Sequence, residues 1–219
     1  MASSTALTLV NRVLRLTNSN KQLAAITGST GGVGERIIAF LNLVISDVEK
    51  KTNWPFLRVN AQGTGDGVND IYEYTPSGSE VVEVGGPVSV WIAGKRRLDE
   101  LTPEQFDRMT AEEANSGQSL YFQRGVSAAG NFQVQIFPTP ANGDIINISA
   151  FQKGTRLTET TTSTTEFPDD ILVYGALMHM DAYEGQTRGY AQLYADHLAS
   201  AIMENYGNRQ LQVEIESYT

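Results

Sequence analysis

FQVQIFPTPANGDIINISAF, residues 132–151, decides how the chain is read. Phe132, Val134 and Ile136 alternate with Gln133 and Gln135, the period of a half-buried strand. Pro138-Thr139-Pro140 cannot continue a central strand, and Ala141-Asn142-Gly143-Asp144 supplies turn chemistry. Ile146, Ile148 and Ala150 resume the alternation. The stretch therefore reads as a β-hairpin. Working outward, short strands are expected at 71–74, 80–84, 88–92 and 119–122, separated by Gly63-Thr64-Gly65-Asp66-Gly67 and Gly85-Gly86-Pro87 as turns or mobile loops. One short helix interrupts them. Thr102, Pro103 and Gln105 form a capping-box pattern at its start, and Phe106 and Met109 would face inward.

Helical periods flank this β region on both sides. Ser3 or Ser4 can cap a first helix running to about Thr17, with Leu7, Val10 and Leu14 at helical spacing. A second runs from about Glu35 to Thr52. Its apolar residues cover more than one face, so it should be mostly buried. After the β region, Thr158 to Glu166 is a polar, Thr-rich linker. Pro168 opens a third helix, with Asp169 and Asp170 in its first turn, where the helix dipole favours acids. A fourth carries Tyr190, Leu193, Tyr194, Leu198 and Ile202, and Gly207-Asn208 should stop it. The fold class is α+β. The expected domains are 1–56 with 167–207 as the helical part, 57–157 as a β-rich insertion between the second and third helices, 158–166 as linker, and 208–219 as an extended C-terminal tail. In that tail Leu211, Val213 and Ile215 alternate with Gln212, Glu214 and Glu216, a strand pattern with no neighbouring strand to pair with.

Composition narrows the function classes. No apolar run reaches the roughly 20 residues needed to cross a bilayer, and Met1 to Thr5 lacks the marks of a secretory signal. There are no cysteines, which removes disulfides, thiolate metal sites and cysteine nucleophiles. The net charge is −9, with the acids concentrated toward the C-terminus: residues 168–219 carry two basic and eight acidic side chains. Such a chain is poorly suited to tight DNA binding, whose affinity comes largely from neutralising phosphates.

Thr27-Gly28-Ser29-Thr30-Gly31-Gly32-Val33-Gly34 resembles the cofactor turn of short-chain dehydrogenases. Its surroundings do not fit. A buried parallel strand should precede it, and the polar stretch from Ser19 to Ile26 is not one. No lysine has a tyrosine four places before it, so that family's Tyr-x-x-x-Lys pair is absent. The loop reads as a connection between helices. His179 and His197, the two histidines, read as packed or interfacial residues rather than ligands. No catalytic, cofactor-binding or metal residues are assigned.

The ordered set of features resembles head-to-tail adaptor proteins (head completion or connector proteins) of tailed bacteriophages. It comprises Leu9 to Leu16 on the first helix, Asn42 followed by Thr52-Asn53-Trp54-Pro55-Phe56-Leu57, Ile136-Phe137-Pro138-Thr139-Pro140, Phe167-Pro168-Asp169-Asp170, and Tyr190 with Tyr194. The resemblance implies an antiparallel bundle of four main helices bearing the β insertion. It implies a structural virion protein of the neck, assembled in the host cytoplasm as a homo-oligomeric ring, a dodecamer, without cofactor or membrane. The portal protein would lie on one side and tail or nozzle proteins on the other. Genomic DNA would pass through a net negative or neutral channel without sequence-specific binding, the acids from Asp169 to Glu216 contributing. Leu211, Val213, Ile215 and Tyr218 would then dock on the portal by strand addition or cleft insertion. The alternatives are another tail-tube or stopper virion protein, or an NAD(P)-binding enzyme like the short-chain dehydrogenases.

Overall fold

A computed structural model describes residues 4–17, 22–28, 32–74, 87–95, 97–112, 120–126 and 132–216. Side chains are not described at 74, 87, 88, 109–112, 123, 126, 132 and 205–216. The chain forms two compact units, residues 1–56 with 154–219, and residues 57–153.

The first unit holds helices α1 (Ala6–Leu16), α2 (Val33–Lys51), α4 (Asp169–Glu184) and α5 (Tyr190–Glu216). α1 is capped by Thr5, whose side chain accepts the Thr8 amide at 3.3 Å, and not by Ser3 or Ser4. Ser4 instead donates to the Asp169 carboxylate. α2 begins at Gly32, whose φ of 63° is left-handed and suits glycine. α4 packs against α1, α2 and α5. Its buried residues, among them Ile171, Leu172, Val173, Ala176 and Leu177, accordingly surround the helix. Gly175 is required by this contact, since a Cβ there would lie 2.6 Å from Val44 Cγ2. Trp54 closes the end of α2 by donating its indole N–H to the Val48 carbonyl at 2.8 Å. The Trp54 and Phe56 rings both meet Phe167 edge-on.

The extended tail is corrected. α5 continues through Gly207 and Asn208 to Glu216. A strand needs a partner edge, whereas a helix already under way gains one backbone hydrogen bond for each residue added. A single glycine, at about 1 kcal/mol, does not stop that propagation.

The second unit contains β1 (Arg58–Thr64), β2 (Ile71–Tyr74), β3 (Pro87–Ile92), β4 (Asp99–Glu100), α3 (Pro103–Glu112), β5 (Leu120–Val126), β6 (Phe132–Phe137) and β7 (Ile145–Phe151). Two sheets form, ordered β1-β7-β3 and β2-β6-β5-β4. They share one core, in which Val90, Ile92, Ile146, Ile148 and Ala150 meet Tyr121, Val134 and Ile136. The capping box of α3 is present, with Thr102 and Gln105 exchanging hydrogen bonds at 3.1 and 3.3 Å. Phe106 is buried against Phe122 and Phe137. The strand expected at 80–84 lies outside the described residues, as does the Met109 side chain.

The hairpin reading is also corrected. β6 and β7 each have the alternation expected of them, but they pair with different strands in different sheets. Pro138 to Asp144 is an arch between sheets rather than a hairpin turn. Pro138 and Pro140 carry no amide N–H to continue a ladder. β7 instead joins β1, a strand the sequence hid behind polar residues. Gly65, expected in a mobile loop, is buried at the end of that pairing. Its amide donates to Asp144 at 2.8 Å, and a Cβ would lie 2.5 Å from the Ala141 carbonyl oxygen.

Candidate assembly surfaces

The helical unit is held by a few long-range polar contacts that give its outer faces fixed positions. Glu49 on α2 is buried, and it accepts Gly154 N at 3.0 Å and Arg156 Nη2 at 2.7 Å. A carboxylate so placed ties the returning chain to α2, because removing Arg156 would strand the buried Glu49 charge. Asn42 repeats the device two turns away, pairing with both backbone groups of Leu157 at 2.8 and 2.9 Å. Asn11 on α1 does the same with Leu23, at 3.0 Å to its carbonyl and 2.8 Å from its amide. This clamp, with Ile26 buried, shows that residues 22–28 are anchored. Arg12 pairs with Asp170. Asp169 and Asp170, which sequence reasoning placed only as first-turn acids, therefore both hold α1 to α4. The spacing of 158 residues between Arg12 and Asp170 left no sequence signal for that pair.

Two outer faces of this unit are apolar. The first is a ridge along α2 and α4. Phe40 stacks near His179 at 6.2 Å between ring centroids and meets Tyr183 at 6.1 Å. Arg36 lies 5.1 Å from the centre of the Tyr183 ring, within cation–π range. Leu43, two turns from Arg36, is 53% exposed and Tyr183 65%. His179 thus belongs to an aromatic ridge, while His197 stacks on Tyr174 at 4.8 Å. The second is the exposed surface of α5, where Leu193 and Met203 stand. Tyr194 anchors α5 by donating to Asp47 at 2.9 Å. Burial first, and the Asp47 carboxylate second, raise the Tyr194 phenol well above its ordinary range.

The tail residues fall on this helix. Leu211, Val213 and Ile215 are positions in α5, with side chains outside the described set, and Tyr218 lies outside the described residues. Helical spacing puts positions 211 and 215 one turn apart and position 213 on another side. The alternation that suggested a single apolar strand face does not apply to a helix.

The glycine loop borders a shallow groove of about 730 Å³ lined by Thr27, Glu35, Asn42 and Leu157 to Thr160 among others. Gly28 donates to Glu35 at 3.4 Å, and the residues before it are not a strand. Residues 29–31 lie outside the described residues. Among the described residues no group of three or more His, Asp or Glu is placed to hold a metal ion, and no described helix is long and apolar enough to cross a membrane.

In the β unit, Asp66 and Asp144 order the loops at one end. Asp66 accepts the amides of Val68 and Asn69 at 2.9 and 2.8 Å, which lowers its pKa. Asp144 takes Lys95 Nζ at 2.6 Å, which likewise lowers its pKa. Val68 stands 82% exposed on this end.

Comparison with known proteins bears on the whole of this architecture. A search among curated proteins found no match. Among solved structures, a chain from the neck of an empty GTA particle computed with C6 symmetry matches with 11% identity and a TM-score of 0.27, over 83% of this chain and 84% of that one. The model of the SU10 adaptor protein family matches residues 4–214, from the first described residue to near the end of α5. The chain therefore belongs to the SU10 adaptor protein family.

Proposed function

We propose that this chain, a head-to-tail adaptor and structural protein of the virion neck, forms a closed homo-oligomeric ring between the portal and the tail, with the helical unit as its wall. Family membership across residues 4–214 is the observation that carries this reading. In this reading the helices act as a rigid antiparallel bundle, and the role is structural rather than catalytic. A dodecamer is the ring that the resemblance implies. The portal is taken as the partner of the C-terminal end of α5, with Leu211, Val213 and Ile215, presented from a helix rather than a strand, and Tyr218 after them as contacts. Tail or nozzle proteins occupy the other side. DNA passes through without sequence-specific binding, consistent with a net charge of −9.

Averaged electron micrographs of particle necks, with and without the chain, test this. Heads that lack the chain should fail to join tails, and necks that contain it should show one added ring. Deleting residues 208–219 should leave a folded chain that no longer joins heads. Heads that acquire tails normally without the chain would exclude the adaptor role. Normal joining by the truncated chain would move the portal contact elsewhere on the helical unit.

A further inference from the structure

α5 is covered on one side only. Its main packing partner is α4, and of the side chains described from Tyr190 to Glu204 only Tyr194 is buried. Met203 is 73% exposed and Leu193 41%. That stretch carries Asp196 and Glu204 and no Lys or Arg, so its exposed surface sets Leu193 and Met203 among small and polar side chains with a net negative charge. The α2–α4 ridge has the complementary character. Phe40, Leu43 and Tyr183 are apolar surface beside Arg36, which has no carboxylate partner among the described residues. The nearby acids are already engaged: Glu35 by Gly28, and Glu184 by Arg188.

We propose that these two faces are made for each other: the α2–α4 ridge of one copy receives the outer side of α5 from the next copy of this chain. The inference rests on the ring reading above and names the contact that would close the ring. A contact between unlike faces is heterologous, and repeated by rotation it closes a ring, whereas a contact between like faces ends at a dimer. Met203 and Leu193 cover the exposed rings and Leu43, and Arg36 meets the acids of the neighbouring helix. The charge match favours a second copy over a different protein, because both halves of it are written in one chain.

The absence of cysteine makes a clean test possible. Leu43→Cys and Met203→Cys change exposed side chains, so folding should survive, as circular dichroism would verify. The two full-length single variants are mixed, assembled into necks and treated with bis-maleimides of increasing length. The mixture should give a covalent dimer, neither variant alone should cross-link, and the double variant should give a ladder of multimers. If micrographs show rings while the mixture stays monomeric at every linker length, this contact is wrong and the ring reading stands. Self-linking by either single variant would mean like faces meet, which also overturns it. Necks without any added ring would remove the ring reading itself. As a second measurement, Arg36→Glu should raise the chain concentration for half-assembly by about tenfold. Adding Asp196→Lys and Glu204→Lys should restore it, and failure of that rescue counts against the contact.

Discussion

Two glycines in the helical unit, Gly175 and Gly154, are there for space rather than for a turn. Gly154 sits where a Cβ would lie 2.3 Å from Phe167 Cε2 and 3.3 Å from Ile45 Cγ2. The Phe167 ring has no room to retreat, since Trp54 and Phe56 lie against it. Gly154→Ala should therefore cost about 1–3 kcal/mol, the range for overpacking a filled core, read as a lower urea midpoint at unchanged slope. Gly32 differs in kind. At φ 63° an alanine meets backbone strain of about 1 kcal/mol with no comparable clash. Changing it to alanine is thus not neutral for folding. At the end of the β unit, the pKa of Asp144 is lowered first by its hydrogen bond from Lys95. Folding then favours the charged form. That contribution is complete above the unfolded value, near pH 4, and is lost as pH falls through the lower folded value. The protection of the Ala141 and Gly143 amides against exchange, relative to the unfolded chain at the same pH, should fall as pH drops below about 4, and Asp144→Asn should remove that pH dependence.

Elements were legible from the sequence where period alone defines them, and illegible where partners do. α1, α2, α4, the start of α5 and the strands β6 and β7 follow from apolar spacing. The alternation of Val134 and Ile136 says which face is buried. It says nothing about which strand lies alongside, and so β6 and β7 read as one hairpin while belonging to two sheets. β1 was missed because Arg58, Asn60 and Gln62 are polar. Their use is visible only beside β7, where Arg58 reaches Ser149 at 2.7 Å and Gln62 reaches Asn147 at 2.9 Å. The exposed apolar side chains were equally hidden, since the apolar residues of α2 read as mostly buried, whereas Leu43 is exposed and Phe40 half-buried. Gly207 in α5 offers a direct check on the corrected tail. Gly207→Ala should stabilise the last turns by up to about 1 kcal/mol and raise helicity. Gly207→Pro should break the helix there, at about 3 kcal/mol. Far-UV circular dichroism and amide exchange at 208–216 would report both. Equal exchange in all three chains would mean the segment is not helical.

At the scale of the whole molecule, the β unit is an insertion whose two ends meet. The Gln152 amide donates to the Leu57 carbonyl at 2.9 Å, so the strands leave and return side by side. The helical unit keeps its own closure through Glu49, Arg156 and Gly154. Joining Phe56 to Gly154 through a few glycines and serines should yield a soluble helical protein with a single cooperative melt, measured by circular dichroism. Loss of helicity in that chain would show that the two units fold only together.

That adjacency of Leu57 and Gln152 also has a genetic meaning. Two recombination breakpoints, one on either side of the inserted reading frame, are enough to exchange the entire β module between related genomes. The bond that closes the module travels with it. Lineages under pressure to change the insertion can therefore do so in one double exchange. Mosaic genes, with the breakpoints near codons 57 and 153, are the trace such a history would leave.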